Sequence, residues 1–129
     1  MNTRTLLIAS AAVELGAGLA LVAWPSMPVS ILLGAPLDTP VGFAIARLAG
    51  AALLSLAIAC WLAREDGDSR AGRALVTAML MYNLGAVAVL AHAGAGRGMS
   101  ALVTWMAVVL HLAMTAWCAA CLNRSRRVE

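Results

Sequence analysis

Residues 41–63 read VGFAIARLAGAALLSLAIACWLA, and this stretch decides the class of protein to which the chain belongs. It contains one charged side chain, Arg47, and otherwise consists almost entirely of apolar or small residues. At a rise of ~1.5 Å per residue, a helix of this length spans about 35 Å, which exceeds the ~30 Å hydrocarbon core of a bilayer. The stretch therefore predicts a transmembrane helix.

Three further apolar runs of similar length flank this stretch, at approximately 5–24, 74–93 and 101–122. Of the 129 residues, 63% are hydrophobic and 12% are charged, and the mean hydropathy is +0.90. Soluble domains carry about a quarter charged residues and disordered chains are poor in apolar residues, so both classes are excluded. The alternating strands of a membrane barrel are not present in the sequence. We expect an all-α, integral membrane four-helix bundle that forms a single transmembrane domain over residues 1–129.

The arginines are distributed unevenly between the two ends of the predicted spans. Seven lie at the N-terminus, in the second loop or in the tail: Arg4, Arg64, Arg70, Arg73, Arg124, Arg126 and Arg127. The first and third loops contain only Arg97. The positive-inside rule then predicts a multi-pass protein of the cell (inner) membrane with cytoplasmic N- and C-termini. This bias accounts for the net charge of +3 without a nucleic-acid partner. Glu14 within the first run favours an uncleaved helix over a signal peptide.

The first loop is rich in proline and predicts a short external helix. Residues 26–34, with the sequence SMPVSILLG, are apolar and follow Pro25, as in a helical turn that lies at the membrane interface. We expect either a lid over the bundle or a connector that rests on lipid. At the helix ends, Thr39 before Pro40 predicts an N-cap, and Ser100 and Asn123 predict the start and stop of the fourth span.

Each predicted span contains one strongly polar residue near the middle of the membrane. These residues are Glu14, Arg47, Asn83 and His111. Placing an ionised side chain at the bilayer centre costs about 2.5 to 3.5 kcal/mol of free energy, so such residues usually face the protein interior and have a function. We expect the four to converge in a ligand-binding site, with Glu14 and Arg47 as an ion pair and with Glu14 and His111 as the candidate catalytic residues. The alternative is a structural cluster that fixes the register of the helices.

Helical spacing indicates which faces point inward. On the first span, Ser10, Glu14 and Gly18 share a face. On the fourth, a polar stripe has the members Thr104, His111, Thr115 and Cys118. Small residues that favour close helix packing are Ala46, Gly50, Gly85 and Ala86. Tyr82 is rotated by about 100° from Asn83, so we expect it to face lipid or a neighbouring helix.

The remaining histidine and the cysteines are weaker candidates for a cofactor site. His92 lies near the external end of the third span, about 15 Å from the depth of His111, so the two cannot ligate one haem iron together. A haem held by His111 alone stays open as an alternative. We interpret the three cysteines as small buried apolar residues rather than as a metal relay: Cys60, Cys118 and Cys121. No metal site is predicted. The cofactor is unknown from the sequence.

Two parts of the chain resemble known membrane families. Glu14 resembles the first-helix glutamate of the small multidrug resistance transporters, and this resemblance implies proton-coupled export of cations. The other helices lack that family's aromatic cage and glycine pattern, and the charge bias departs from its dual insertion. Residues 42–64 resemble small four-helix DoxX-type membrane proteins through Arg, Gly and Leu. No residue role is carried over from either family.

Three functions remain open at this point. We favour a small polytopic membrane protein that binds a lipophilic or weakly charged small molecule in a central polar site and transports it with protons. The second is a membrane-embedded enzyme, an isomerase, cyclase or hydrolase of a lipid-like substrate, with Glu14 and His111 as an acid–base pair. The third is an accessory subunit of a larger membrane complex. The expected partners are the bilayer, the small molecule and, as an open alternative, further copies of the chain.

Overall fold

The computed structural model describes residues 2–96 and 102–125 and confirms an all-α membrane protein. Four helices are long and apolar enough to cross a bilayer, and a short helix separates the first two. The five helices are α1 (Thr3–Ala23), α2 (Ser26–Leu33), α3 (Pro40–Ala63), α4 (Arg70–Gly96) and α5 (Leu102–Ser125). The predicted short helix in the first loop is therefore present, and Gly34 ends it in the left-handed conformation, with φ of 67°.

Polar caps explain where the long helices begin. The Thr39 hydroxyl accepts a hydrogen bond from the Gly42 amide at 3.1 Å, as the Thr-Pro pattern predicts. α4 begins four residues before its apolar run because the Ser69 hydroxyl accepts from the Gly72 amide at 3.0 Å. The predicted stop at Asn123 agrees with the structure to within two residues, since α5 continues to Ser125. Ser100, the predicted start of the fourth span, lies outside the described residues.

The long helices pack as two close antiparallel pairs, α1 with α3 and α4 with α5, and contacts between the two pairs are sparse. Glycines explain the closeness of the first pair. A Cβ placed on Gly18 would lie 2.9 Å from the Gly50 carbonyl oxygen, and a Cβ on Gly50 would lie 2.9 Å from the Gly18 oxygen. The inward role predicted for Gly50 is thus confirmed. The same role for Gly85 is wrong, because Gly85 is exposed and a Cβ placed on it would meet no atom of the described residues within 4 Å.

Apolar side chains at the α3–α4 loop end of the bundle fill the space between the two pairs. This core has the members Leu6, Leu7, Ala11, Cys60, Val76, Met79, Met114, Cys118 and Cys121. The three cysteines form no disulfide with one another and are buried within it, as expected for small apolar cysteines. At the opposite end, the Thr104 hydroxyl donates a hydrogen bond to the Leu32 carbonyl and ties α2 to α5.

Large apolar side chains cover the outer surface of the bundle. Leu48 and Leu62 on α3 are each 72% exposed, and Val89 on α4 is 68% exposed. A soluble monomer rarely exposes a continuous apolar surface of this kind, whereas a helix in lipid loses nothing by it. The exposed surface of the long helices therefore fits a bilayer environment.

The N-terminus and the α3–α4 loop lie together at one end of the bundle. An Nη of Arg4 lies 2.9 Å from a carboxylate oxygen of Glu65, and the hydroxyl of Thr3 lies 3.4 Å from a carboxylate oxygen of Asp68. Two crossings, α1 and α3, separate the N-terminus from this loop, so both must lie on the same side of the membrane, whichever side that is.

We expect the end that contains Arg4 and Glu65 to face the cytoplasm, because it carries most of the arginines. In a background with the native cysteines replaced by alanine, Asp38→Cys should react with an impermeant thiol reagent added outside intact cells. Asp66→Cys should react only after the cells are lysed. Both positions are exposed loop residues, so accessibility within the fold does not differ between them. The reverse labelling pattern would contradict the orientation.

Candidate functional site

The predicted polar face of α1 points into the bundle. Ser10, Glu14 and Gly18 are all buried, and Glu14 is only 3% exposed. Glu14 lies near the middle of α1, about 17 Å from its first residue at ~1.5 Å per residue. A carboxylate is thus held at mid-membrane depth and away from lipid.

Asn83 of α4 and His111 of α5 are joined by a hydrogen bond between side chains. Asn83 is 1% exposed, and its amide nitrogen donates to the Met79 carbonyl at 2.7 Å. The amide oxygen of Asn83 lies 2.8 Å from Nδ1 of His111. Because this oxygen can only accept, Nδ1 carries the proton, and the neutral imidazole has its lone pair at Nε2. Asn83 therefore fixes both the orientation and the tautomer of His111.

Tyr82 connects the histidine side of the site to Glu14. Its hydroxyl donates a hydrogen bond to a carboxylate oxygen of Glu14 at 3.2 Å. Its ring meets the His111 ring edge to face, with centroids 5.9 Å apart and planes at 81°. Of the two expectations for Tyr82, the neighbouring helix is correct and lipid is wrong. The interface wraps around α4: the Asn83 side chain meets α5, and the Tyr82 side chain meets α5 through its ring and α1 through its hydroxyl.

Arg47 does not join this cluster. It is exposed on α3, and the ion pairs found among the described residues are Arg4–Glu65 and Arg64–Glu65. The expected Glu14–Arg47 pair is therefore wrong. Ala46 and Gly50, four residues apart, form the buried face of α3, and Arg47 is turned about 100° away from Ala46. A long side chain at this position can extend along the lipid-facing surface toward the headgroups.

The other predicted polar residues on α4 and α5 divide between interior and surface. Thr104 and Cys118 are buried and Thr115 is half-buried, so the α5 stripe faces inward as expected. His92 is exposed. Within residues 2–96 and 102–125, no group of three or more His, Cys, Asp or Glu side chains could hold a metal ion.

Two buried polar atoms have no hydrogen-bond partner among the described residues: the Ser10 hydroxyl oxygen and Nε1 of Trp117. A buried polar group without a partner costs about 1 to 3 kcal/mol. Ser10 lies one helical turn from Glu14 on the same face of α1. A ligand or water molecule next to Glu14 would therefore gain a hydrogen bond from Ser10 without displacing an existing one.

The structure predicts that Glu14 is energetically coupled to Tyr82 and not to Arg47. A double-mutant cycle of Glu14→Ala with Tyr82→Phe should give a coupling energy of about 0.6 to 2 kcal/mol, the range for polar contacts between membrane helices. The cycle of Glu14→Ala with Arg47→Ala should give less than about 0.5 kcal/mol, as for independent sites. The free energies of unfolding can be measured by denaturant titration in detergent. A larger coupling to Arg47 than to Tyr82 would contradict the geometry.

The sequence predicted three of the four clustered residues, Glu14, Asn83 and His111, and missed Tyr82. The signal that could have found Tyr82 was its position next to Asn83 in the sequence. The rotation of about 100° between consecutive helical residues argued against placing both in one site. The arrangement places an acid, a phenol hydroxyl and an oriented imidazole in contact across the interface between the helix pairs. The chain matches no protein-family model, no curated protein and no solved structure.

Proposed function

We propose that this four-span membrane protein binds a lipophilic or weakly charged small molecule at the polar cluster of Glu14, Tyr82, Asn83 and His111, and transports it with protons. The observation that carries the proposal is the Tyr82–Glu14 hydrogen bond, which links a buried carboxylate on one helix pair to the imidazole of the other. Titratable groups at mid-membrane depth usually mark ion, proton or substrate pathways.

The charge of Glu14 supports a role in binding. The ion pairs between described residues do not include Glu14, and its hydrogen bond comes from the neutral Tyr82 hydroxyl. A buried carboxylate without a cation is stabilised by taking a proton or by binding a ligand that carries positive charge. The two events compete for the same oxygen atoms, and such competition couples ligand release to proton uptake.

The packing of the helices supports movement at the same place. The backbones of α1 and α3, and those of α4 and α5, approach closely, whereas the backbones of one pair seldom approach those of the other. The cluster lies between the two pairs, which are joined there by side chains. Rocking of one helix pair against the other would expose Glu14 alternately to the two sides, which is the usual geometry of alternating access.

A second candidate is the membrane-embedded enzyme that acts on a lipid-like substrate. The Asn83–His111 hydrogen bond favours it, because a fixed Nδ1–H tautomer leaves Nε2 as a general base. Glu14 and Tyr82 would then supply the acid and a hydrogen-bond donor to the substrate. In this function the cluster would have to enclose the substrate without opening to both sides.

Native mass spectrometry of the detergent-purified protein tests the proposal. The wild-type chain should retain a small molecule, and Glu14→Gln and Tyr82→Phe should lose most of it. Glu14→Gln removes the negative charge, and Tyr82→Phe removes the hydroxyl that donates to Glu14. Arg47→Gln is the matched control and should retain the molecule. Loss from Arg47→Gln alone, or an empty wild-type chain with a bound partner protein, would contradict binding at the cluster and favour an accessory subunit.

A further inference from the structure

A groove on the lipid-facing surface between α1 and α3 lies away from the polar cluster. Its cavity has a volume of about 410 Å³, within the range of ~300 to 1,000 Å³ for ligand pockets. Its lining is apolar: Ile8, Ala11, Ala12, Leu15, Ala57, Ile58, Trp61 and Leu62. Alanines form its floor, since Ala11 and Ala57 are 6% and 4% exposed, and the larger side chains form its walls.

The groove extends over about two-thirds of the depth of one membrane leaflet. From Ile8 to Leu15 it runs about 10 Å along α1, and it lies in the half of the bundle that contains the α3–α4 loop. One leaflet contributes roughly 15 Å to the ~30 Å hydrocarbon core. A single acyl chain that enters from the surface of that leaflet would therefore lie along the groove.

Two arginines stand at the end of the groove nearest the headgroups. The guanidinium carbon of Arg64 lies 4.0 Å from the centre of the Trp61 ring, so this cation sits directly on a wall of the groove. Arg4 is one helical turn before Ile8. Both arginines pair with the same carboxylate of Glu65, at 2.9 Å for Arg4 and 3.6 Å for Arg64. The trio retains one net positive charge.

We propose that the α1–α3 groove is a binding site for one anionic phospholipid, with an acyl chain between the helices and the phosphate at Arg4 and Arg64. The occupant is a lipid because the groove opens to the hydrocarbon and its lining is apolar among the described residues. Charge complementarity selects a headgroup with a net negative charge, since such a headgroup neutralises the positive charge that Glu65 leaves uncompensated, whereas the choline of a zwitterionic lipid already balances its own phosphate. Arg64 also donates to the Trp61 carbonyl, which holds the guanidinium over the groove.

The test compares lipid adducts by native mass spectrometry in detergent that contains equal amounts of phosphatidylglycerol and phosphatidylcholine. The wild-type chain should prefer phosphatidylglycerol by about fivefold or more, the effect of ~1 kcal/mol per arginine near an anionic surface. Arg64→Gln should remove most of this preference, and Glu65→Gln should increase it. Arg70→Gln is the matched control, because it removes an exposed arginine from the same end of the bundle without touching the groove.

Filling the groove tests the acyl-chain part of the proposal separately. Ala12→Phe should reduce adducts of both lipids, whereas Ala17→Phe, at an exposed position about 140° away on α1, should leave them unchanged. In a variant that keeps Trp61 as its sole tryptophan, brominated phosphatidylglycerol should quench the fluorescence more strongly than brominated phosphatidylcholine. Circular dichroism checks that each variant is folded.

Three results would overturn the proposal. Equal adducts and equal quenching by the two lipids would show ordinary annular lipid. An unchanged preference in Arg64→Gln would place the anionic headgroup elsewhere. A dimer mass together with protection of Trp61 from both brominated lipids would show that a second copy of the chain covers the groove.

Discussion

Gly18→Leu should destabilise the protein by about 2 kcal/mol or more and lower its melting temperature in detergent. A Cβ at this position already lies 2.9 Å from the Gly50 carbonyl oxygen and 2.9 Å from the Leu54 side chain. The carbonyl belongs to the backbone and cannot rotate away, so α1 and α3 must separate along their contact. Overpacking of a rigid interior costs about 1 to 3 kcal/mol, and the lost contacts between the helices add to this.

Gly16→Leu is the matched control for this prediction. Gly16 lies two residues away on the same helix and is exposed, and a Cβ there meets no described atom within 4 Å. The change should have little effect or stabilise α1 slightly, because glycine in a helix costs about 1 kcal/mol relative to better helix formers. Circular dichroism during heating reports both variants. Equal losses at the two positions would contradict the close α1–α3 contact.

Glu14→Gln should abolish the pH dependence of ligand binding while the fold is retained. Glutamine keeps the size of the side chain and can still accept the Tyr82 hydrogen bond, but it does not titrate. Because protons compete with the ligand for Glu14, the affinity of the wild-type protein should fall as the pH is lowered, by up to about tenfold per pH unit for one titrating group. In Glu14→Gln the remaining, weaker binding should be independent of pH. The measurement is a binding titration with the molecule identified by native mass spectrometry.

His111→Gln distinguishes proton coupling from simple packing. The amide nitrogen of glutamine can still donate to Asn83, so the contact between α4 and α5 is preserved. If the cluster is a working site, this variant should keep its melting temperature and change the pH profile. Wild-type profiles in both Glu14→Gln and His111→Gln would mean that the cluster only packs the helices together.

The apolar runs alone were enough to predict the helices, because lipid leaves backbone groups no partner outside the helix. The runs around Arg47 and His111 were long enough to span a bilayer in any packing arrangement. The short external helix was also predictable, since Pro25 and Gly34 mark its two ends locally. The start of α4 was missed because its cap, Ser69, lies within a charged loop.

The sequence also predicted how deep each residue lies in the membrane, and it placed Glu14, Asn83 and His111 at one level. It did not predict the direction in which each residue points around its helix axis. Arg47 lies about 5 Å shallower than Glu14 by the same count, within reach of its long side chain. However, Ala46 and Gly50 form the buried face of α3, and this turns Arg47 outward. If α4 packed against α5 alone through Asn83, Tyr82 would point toward lipid. Tyr82 becomes part of the site because α4 also faces α1, where Glu14 accepts its hydrogen bond.

The sequence by itself determined that the chain is a four-span helical membrane protein with buried polar residues, because both conclusions depend only on hydropathy and on distance along a helix. Which polar residues meet was decided by the tertiary structure. The close approach at Gly18 and Gly50 fixes the rotation of α1 against α3, and with it the direction of Glu14. The two-pair arrangement then brings Tyr82 to Glu14 and leaves Arg47 exposed on the outer surface, because side-chain contacts across an interface depend on the rotation of every helix at once.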